Sequence, residues 1–472
     1  MKTIRTDLCV IGAGSGGLSV AAGAAQMGVS VVLLESHKMG GDCLNYGCVP
    51  SKTLIAAARR AHAFRTSKAF GIEPSEPQID YAEVQRSVQA VIQSIAPHDS
   101  VERFESMGVR VILEKGVFTS PNSVQAGETL IEARKFVIAT GSHPIIPKIP
   151  GIAHVPYLTN LTLFDLKELP EHLIVLGGGP IGCEMAQSFR RLGSKVTLLQ
   201  RSNILSKEDH DAADCVREQF QKEGICLHED AEIYEIQSHR NHIGVRLKSQ
   251  GQEELLSGSH LLVSSGQKAC VDGLGLDAAG IQHNDRGIHV DTGLRTSNKR
   301  VYAIGDVIGG PQFTHAANYH AGIVLRNSLF HLRTKTNYQA LPRVTYTDPE
   351  LAHVGYAEWE LKQKNIRYKA LRTDFADNDR AQTEHCTEGF TKVLVSAKGT
   401  VLGATIVGPH AGELITPWTL SIKQKLKIGA LADSIIPYPT LNEISKRVAG
   451  QYYTPKLASR VTQGIVNLLK RF

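Results

Sequence analysis

The feature that most constrains this chain is a glycine-rich pattern that occurs twice. Gly12-Ala13-Gly14-Ser15-Gly16-Gly17 follows the apolar run Leu8 to Ile11, and Gly177-Gly178-Gly179-Pro180-Ile181-Gly182 follows Leu173 to Leu176. Each pattern leads into a helix and then a second strand, Val29 to Leu34 ending in Glu35 and Lys195 to Leu199 ending in Gln200. That layout is a βαβ unit. Its first glycine (Gly12, Gly177) permits a tight turn, its second (Gly14, Gly179) lets a pyrophosphate approach the backbone, and its third (Gly17, Gly182) allows close helix packing. From the first glycine to the residue ending the second strand is 23 positions in both units. A lone fingerprint is weak, but two built to one ruler imply two dinucleotide folds.

The rest of the chain fits around them. At about 100 to 200 residues per domain, 472 residues require roughly three domains. With 42% hydrophobic and 21% charged residues, the composition excludes a disordered scaffold. The net charge of +6 comes without a run of like charges, so no nucleic-acid partner is expected. Leu8 to Leu34 lacks charge over 27 residues and superficially suggests a signal peptide or anchor. Six of those residues are Gly, which argues for the βαβ unit, no membrane insertion and a cytoplasmic protein.

Between the units lie a helical stretch, about Tyr81 to Met107, and the strand Val137 to Ala139 followed by Thr140-Gly141. After the second comes Val301 to Ile304 followed by Gly305-Asp306, and both strands are expected to return to the first domain. Pro342 to Phe472 alternates strands (Lys392 to Ser396, Val401 to Val407) with amphipathic helices (Ala411 to Leu426), as in an α+β interface domain. The expected fold is α/β, with two Rossmann-like domains and a C-terminal α+β domain. The boundaries fall at 1–148 and 270–338 for the first nucleotide domain, 149–269 for the second and 339–472 for the last.

The residues ending the second strands differ in charge. Glu35 accepts hydrogen bonds from ribose hydroxyls and repels a 2′-phosphate, which suits FAD or NAD. Gln200 is neutral and Arg201 follows it, so the second site favours NADPH while leaving NADH usable.

Of eight cysteines, only Cys43 and Cys48 form a close pair. Five residues of ideal helix rise about 7.5 Å, more than the roughly 4.4 to 6.8 Å between Cα atoms that a disulfide accepts. A bridge there requires a distortion that Gly47 makes cheap, and a strained bridge is easily reduced. Zinc ligation is the competing use, but the spacing is not CxxC and no second pair exists, so no metal site is expected.

The string Gly40-Gly41-Asp42-Cys43-Leu44-Asn45-Tyr46-Gly47-Cys48-Val49-Pro50-Ser51-Lys52 resembles the redox-active helix of the class I pyridine nucleotide-disulfide oxidoreductases. These are the flavoproteins that include glutathione reductase, dihydrolipoamide dehydrogenase and mercuric reductase. The likeness spans essentially the whole chain, including a C-terminal region similar to the family's dimerisation domain. It implies that electrons pass from NAD(P)H through FAD to a Cys43–Cys48 disulfide, with Cys48 the thiolate beside the flavin and Cys43 the interchange thiol. It places Gly41, Lys52, Thr140, Gly141, Gly305 and Asp306 at the FAD with the first fingerprint, pairs Lys52 with Glu184, and puts Gly266 at the nicotinamide nucleotide.

The pattern breaks in three places. Relatives carry His-Pro-x-x-x-Glu near the C-terminus, which supplies an acid-base histidine to the partner's disulfide; this chain has Tyr438-Pro439-Thr440-Leu441-Asn442-Glu443. Tyrosine, with a pKa of about 10, is a poor base where a histidine near about 6.5 is a good one. Loss of acid-base help costs about 10²- to 10⁴-fold, so dithiol exchange is expected to be slow unless His315 or His320 compensates. Tyrosine there is similar to mercuric reductases, yet their C-terminal vicinal cysteines and N-terminal metal-capture domain are not found: Cys386 is the last cysteine, and the chain ends Leu468-Leu469-Lys470-Arg471-Phe472. Finally, Gly266-Gln267-Lys268-Ala269-Cys270 replaces the usual Gly-Arg-x-Pro.

The expected protein is therefore an obligately homodimeric, NADPH-preferring flavoenzyme delivering electrons through Cys43 to a soft metal ion, a reactive disulfide or a quinone-like oxidant. Dihydrolipoamide dehydrogenase activity is the second expectation. A redox-responsive electron-transfer protein, whose cysteine state controls docking, is the third.

Overall fold

The computed structural model describes residues 2–240, 242–249 and 251–470; Arg471 and Phe472 of the tail lie outside the described residues. Two parallel sheets carry the fingerprints. The first runs Val109–Ile112, Val31–Leu34, Lys2–Ile11, Thr129–Ile138, then the antiparallel Ser123–Ala126 and Gly116–Ser120, with Val301–Ala303 also parallel to Thr129–Ile138. Thus the strands before Thr140-Gly141 and Gly305-Asp306 lie side by side, registered Tyr302 to Val137 and Ala303 to Ile138.

Leu8 to Ile11 is apolar at every position because both faces of the sheet are covered. Leu8 and Val10 pack with Leu33, Ile304 and Val324 on one face, while Cys9 and Ile11 pack with Val32, Phe136 and Val301 on the other. The uncharged Leu8 to Leu34 is therefore strand, the 12-residue helix Ser15–Gln26, and strand. No described helix is long and apolar enough to cross a membrane.

The second sheet is all parallel, in the order Cys226–His228, Lys195–Leu199, His172–Leu176, His260–Val263, Tyr157–Leu158. A three-stranded antiparallel sheet from Glu232 to Gly258 flanks it, and the ribbon of Ser142–Pro144 against Gln267–Ala269 leads between the two nucleotide folds. The last region is a five-stranded antiparallel sheet, Arg343–Thr345, Glu350–Gly355, Val401–Gly408, Phe390–Val395 and Lys369–Asp374, with helices over a core around Trp418 and Phe375.

Two expected helices are interrupted. The stretch from Tyr81 ends at Ile95, passes through a 3₁₀ turn containing Pro97 and resumes at Val101–Ser106. The stretch from Ala411 splits into Ala411–Leu414 and Thr416–Lys423, with Pro417 in the first turn of the second piece. Proline lacks the N–H an uninterrupted helix needs and is accepted where a new one starts.

Candidate active site

The cysteines do not share one helix. Cys43 lies in the short helix Gly41–Asn45, the chain breaks at Tyr46 and Gly47, and Cys48 begins the long helix Cys48–Arg65. Gly47 is where side-chain space runs out, since a Cβ there would sit 2.7 Å from Asp42 Oδ2. Both cysteines are free thiols here, Cys43 half-buried and Cys48 exposed.

Their acidities diverge. Cys48 is lowered to about 6, first by hydrogen bonding with the neighbouring Cys43 and then by the Thr314 hydroxyl and the Lys52 charge, against burial and Glu184. Cys43 is pushed far above the ordinary thiol range by the same interaction with Cys48 and by burial. The pair thus sorts into one thiolate and one thiol, and the amino end of the long helix favours the anion at Cys48. Thr314 Oγ1 lies 3.3 Å from Cys48 Sγ. Asp42, beside them, has its carboxyl raised to about 6 by burial and by Cys48 and Asp306, while Asn160 donates to it at 2.8 Å.

One turn along the long helix, Lys52 Nζ donates to Glu184 Oε2 at 2.8 Å. Glu184 is buried on the second fingerprint helix, Pro180–Arg191, and its other oxygen accepts from the Tyr346 N–H at 3.0 Å. The Tyr346 ring lies 4.4 Å from the Lys52 ammonium. A single carboxylate therefore joins the thiol-bearing helix, the second nucleotide fold and the antiparallel domain. Thr314, Tyr346 and Asn160 were not legible as site residues, because long-range packing brings them together, whereas Asp42 stands beside Cys43 in the cysteine string and was not singled out.

The two cradles share one design. Gly12 (φ +105) and Gly177 (φ +116) turn where a Cβ would lie 2.4 Å from Ala139 O and 2.5 Å from Ser264 O. Gly14 and Gly179 stand at helix starts open to solvent or ligand, with nothing nearer than 3.9 Å to an added Cβ at either. Glu35 Oε2 accepts from the Ala13 N–H at 2.7 Å, and Gln200 Oε1 accepts from the Gly178 N–H at 2.8 Å. Arg201 is exposed and makes no ion pair among the described residues.

Gly41 (φ +58) crosses so close to Gly14 that a Cβ on it would meet Gly14 Cα at 2.7 Å. Thr140 donates to Cys270 O at 2.8 Å, Gly141 turns with φ +72, and the Gly305 N–H donates to His320 Nδ1 at 3.1 Å. Asp306 accepts from Ser142 at 2.7 Å, and burial raises its carboxyl. Gly266 (φ +121) lies beside Ile145 at the second cradle's strand ends. The first cradle, with bare backbone at a helix start and carboxylates at Glu35 and Asp306, fits FAD; the second, with no carboxylate at Gln200 and a cation after it, fits NAD(P)H.

His320 is fully buried between Gly305 N and the Tyr338 hydroxyl, and burial lowers it to about 4, so it serves structure. His315 donates Nε2–H to Pro342 O at 2.8 Å. Tyr438 and Glu443 lie in the antiparallel domain and make no hydrogen bond to Cys43 or Cys48 of this chain among the described residues. Tyr438 donates to Asp379 at 3.0 Å, a bond that raises its hydroxyl above the usual tyrosine range and keeps it a donor.

The pyridine nucleotide-disulphide oxidoreductase family model matches residues 6–321, and that family's dimerisation domain matches 341–449. The chain belongs to this family. It is 34% identical over 461 residues to a mercuric reductase of Streptomyces lividans, covering 96% of this chain and 97% of the relative. It is 33% identical over 455 residues to a dihydrolipoyl dehydrogenase of Geobacillus stearothermophilus, covering 94% and 96%. The fold matches the Cu(II) complex of the HOCl-induced flavoprotein disulfide reductase RclA from Escherichia coli, with a TM-score of 0.86, 28% identity and coverage of 95% of this chain and 99% of that one. Pyridine nucleotide-disulphide oxidoreductases bind FAD and use NAD(P)H, so the chain is a flavoprotein oxidoreductase of the kind that acts on sulfur groups or metal ions, and its dimerisation domain supports a homodimer.

Proposed function

We propose that this enzyme prefers NADPH and delivers electrons through a Cys43–Cys48 disulfide to a small acceptor: a soft metal ion, a reactive disulfide or a quinone-like oxidant. The observation carrying the reading is the thiol pair at two adjoining helix ends, with Cys48 Sγ 3.3 Å from the Thr314 hydroxyl and one turn from Lys52, together with Tyr438 where relatives carry the acid-base histidine. Bound FAD supplies two-electron transfer from the nicotinamide to the disulfide.

The chain does the rest. Gly12, Gly14, Gly17, Glu35, Gly41, Thr140, Gly141, Gly305 and Asp306, with Lys52 nearby, hold FAD. Gly177, Gly179, Gly182, Gln200 and Gly266 hold NADPH, and Arg201 meets its 2′-phosphate. Glu184 fixes Lys52, whose charge favours the Cys48 thiolate. With a disulfide acceptor, Cys43 attacks one sulfur and releases the first thiol; Cys48 then attacks Cys43, releasing the second and restoring the bridge. Each subunit's Tyr438–Glu443 segment completes the other's site, which makes the dimer obligate, and Tyr438 acts there as donor rather than base. We assign 1–148 and 270–338 to the FAD-binding domain, 149–269 to the NAD(P)-binding domain and 339–472 to the dimerisation domain, and we place the reaction in the cytoplasm.

Dihydrolipoamide dehydrogenase activity is the second reading, supported by the relatives of that name. NADPH oxidation with lipoamide, run beside Hg(II) in excess thiol, separates them. Clear Hg(II) reduction with negligible lipoamide turnover is expected; rapid lipoamide turnover favours the second reading. Silence with both moves the assignment to another acceptor or to an electron-transfer partner protein, the latter recognised by binding that changes on reduction.

A further inference from the structure

The last described helix, Arg460–Leu469, has no buried residue. Val461, Ile465, Leu468 and Leu469 recur at the spacing that gathers apolar side chains on one side of a helix, and they are 53% to 73% exposed. Arg460, Gln463, Asn467 and Lys470 form the opposite, polar stripe. Ser459 caps the amino end, accepting from the Thr462 N–H at 3.2 Å. Helices this short are marginal in water unless their apolar face is covered, so a capped, amphipathic helix that its own chain leaves uncovered, and that lies beyond residue 449 where the match to the dimerisation domain ends, is built for a further surface.

Local charge indicates which surface. From Ile444 to Phe472 the sequence holds six basic residues, Lys446, Arg447, Lys456, Arg460, Lys470 and Arg471, and no Asp or Glu. Across the whole chain 52 basic residues nearly balance 46 acidic ones, so the excess is concentrated here. We propose that Arg460–Leu469 is an interfacial helix that seats this enzyme on an anionic lipid surface. Its apolar stripe lies at the acyl boundary, and Lys456, Arg460 and Lys470 meet the headgroups. A homodimer presents two such helices, so two weak contacts act together.

The test is flotation of the full-length, FAD-loaded dimer with phosphatidylglycerol/phosphatidylcholine vesicles and with phosphatidylcholine vesicles. Binding to the anionic vesicles is expected to be at least about tenfold tighter and to weaken with salt. Ile465→Glu with Leu468→Glu should abolish it while NADPH oxidation and the sedimentation of the dimer stay unchanged. Arg460→Gln with Lys470→Gln, which keeps the apolar stripe, should weaken it. Absence of binding, or equal binding to both vesicles, overturns the proposal. So does dissociation of the dimer by the Ile465/Leu468 variant, which would assign this face to a second copy of the chain.

Discussion

The two glycine units are near copies in backbone and opposites in charge. In each, the residue ending the second strand reaches back to a turn N–H, at 2.7 Å for Glu35 and 2.8 Å for Gln200. The clamp therefore shapes the turn, and in the proposed reading the charge on it selects the nucleotide. A carboxylate and an amide serve equally well as clamp, but only the amide, followed by Arg201, leaves room electrostatically for a 2′-phosphate. The units also connect differently to the thiol pair: the first runs directly into Gly40-Gly41 and the cysteines, whereas the second is tied to them through Glu184.

The largest expected effect comes from breaking the shared backbone. A Cβ at Gly17 would lie 1.9 Å from Gly12 O, and one at Gly182 would lie 1.8 Å from Gly177 O. Gly17→Ala and Gly182→Ala should each cost about 3 kcal/mol, the upper range for overpacking. Gly17→Ala should yield protein short of flavin, while Gly182→Ala should stay yellow and lose NADPH turnover; flavin absorbance per chain and melting curves check both. Loss of flavin in Gly182→Ala would show that the units are not separable.

Next is the link between them. Lys52→Met strands the Glu184 carboxylate, whose side chain is 4% exposed while Lys52's is 37%. The cost should be about 2 to 3 kcal/mol, below the range for a fully buried pair because the lysine is partly solvated. In the reduced wild-type protein, alkylation of Cys48 should rise as pH climbs through about 6. Its folded-state acidity is increased, so the stability it lends the dithiol form is complete above the ordinary thiol range and lost as pH falls through about 6. Lys52→Met should move that alkylation midpoint upward, and Lys52→Arg should restore it.

Smaller effects test the charge difference itself. Arg201→Ala should lower kcat/KM for NADPH by about 10- to 100-fold, the worth of a charge-assisted phosphate contact, with NADH little changed. Gln200→Glu keeps an acceptor for the Gly178 N–H while copying the first unit's charge; it should shift preference toward NADH by about threefold to tenfold. Wild-type preference for NADH would remove the basis of both predictions.

Much of the frame was legible because it is local. A strand, a glycine turn and a helix in sequence leave few alternatives, and Lys195–Leu199 and Pro180–Arg191 fall where the periodicity places them. The helix breaks at Pro97 and Pro417 are local too, and an uninterrupted apolar periodicity masked them. What stayed hidden is contact across long separations. Nothing near Thr314 points to Cys48, 266 residues away, and nothing near Tyr346 points to Glu184, 162 residues away. Gly47 signalled a distortion between the cysteines, but the full break into two helices needed the packing of Asp42 against it.

The central claim is that electrons leave through the thiol pair. Its most direct test is NADPH consumption by the purified yellow protein with Hg(II) in excess thiol, measured for wild type and for Cys43→Ser at equal flavin content. The account predicts turnover in wild type and a fall of at least about 100-fold in Cys43→Ser. Undiminished turnover in Cys43→Ser would contradict it, because the acceptor would then be drawing electrons without the interchange thiol.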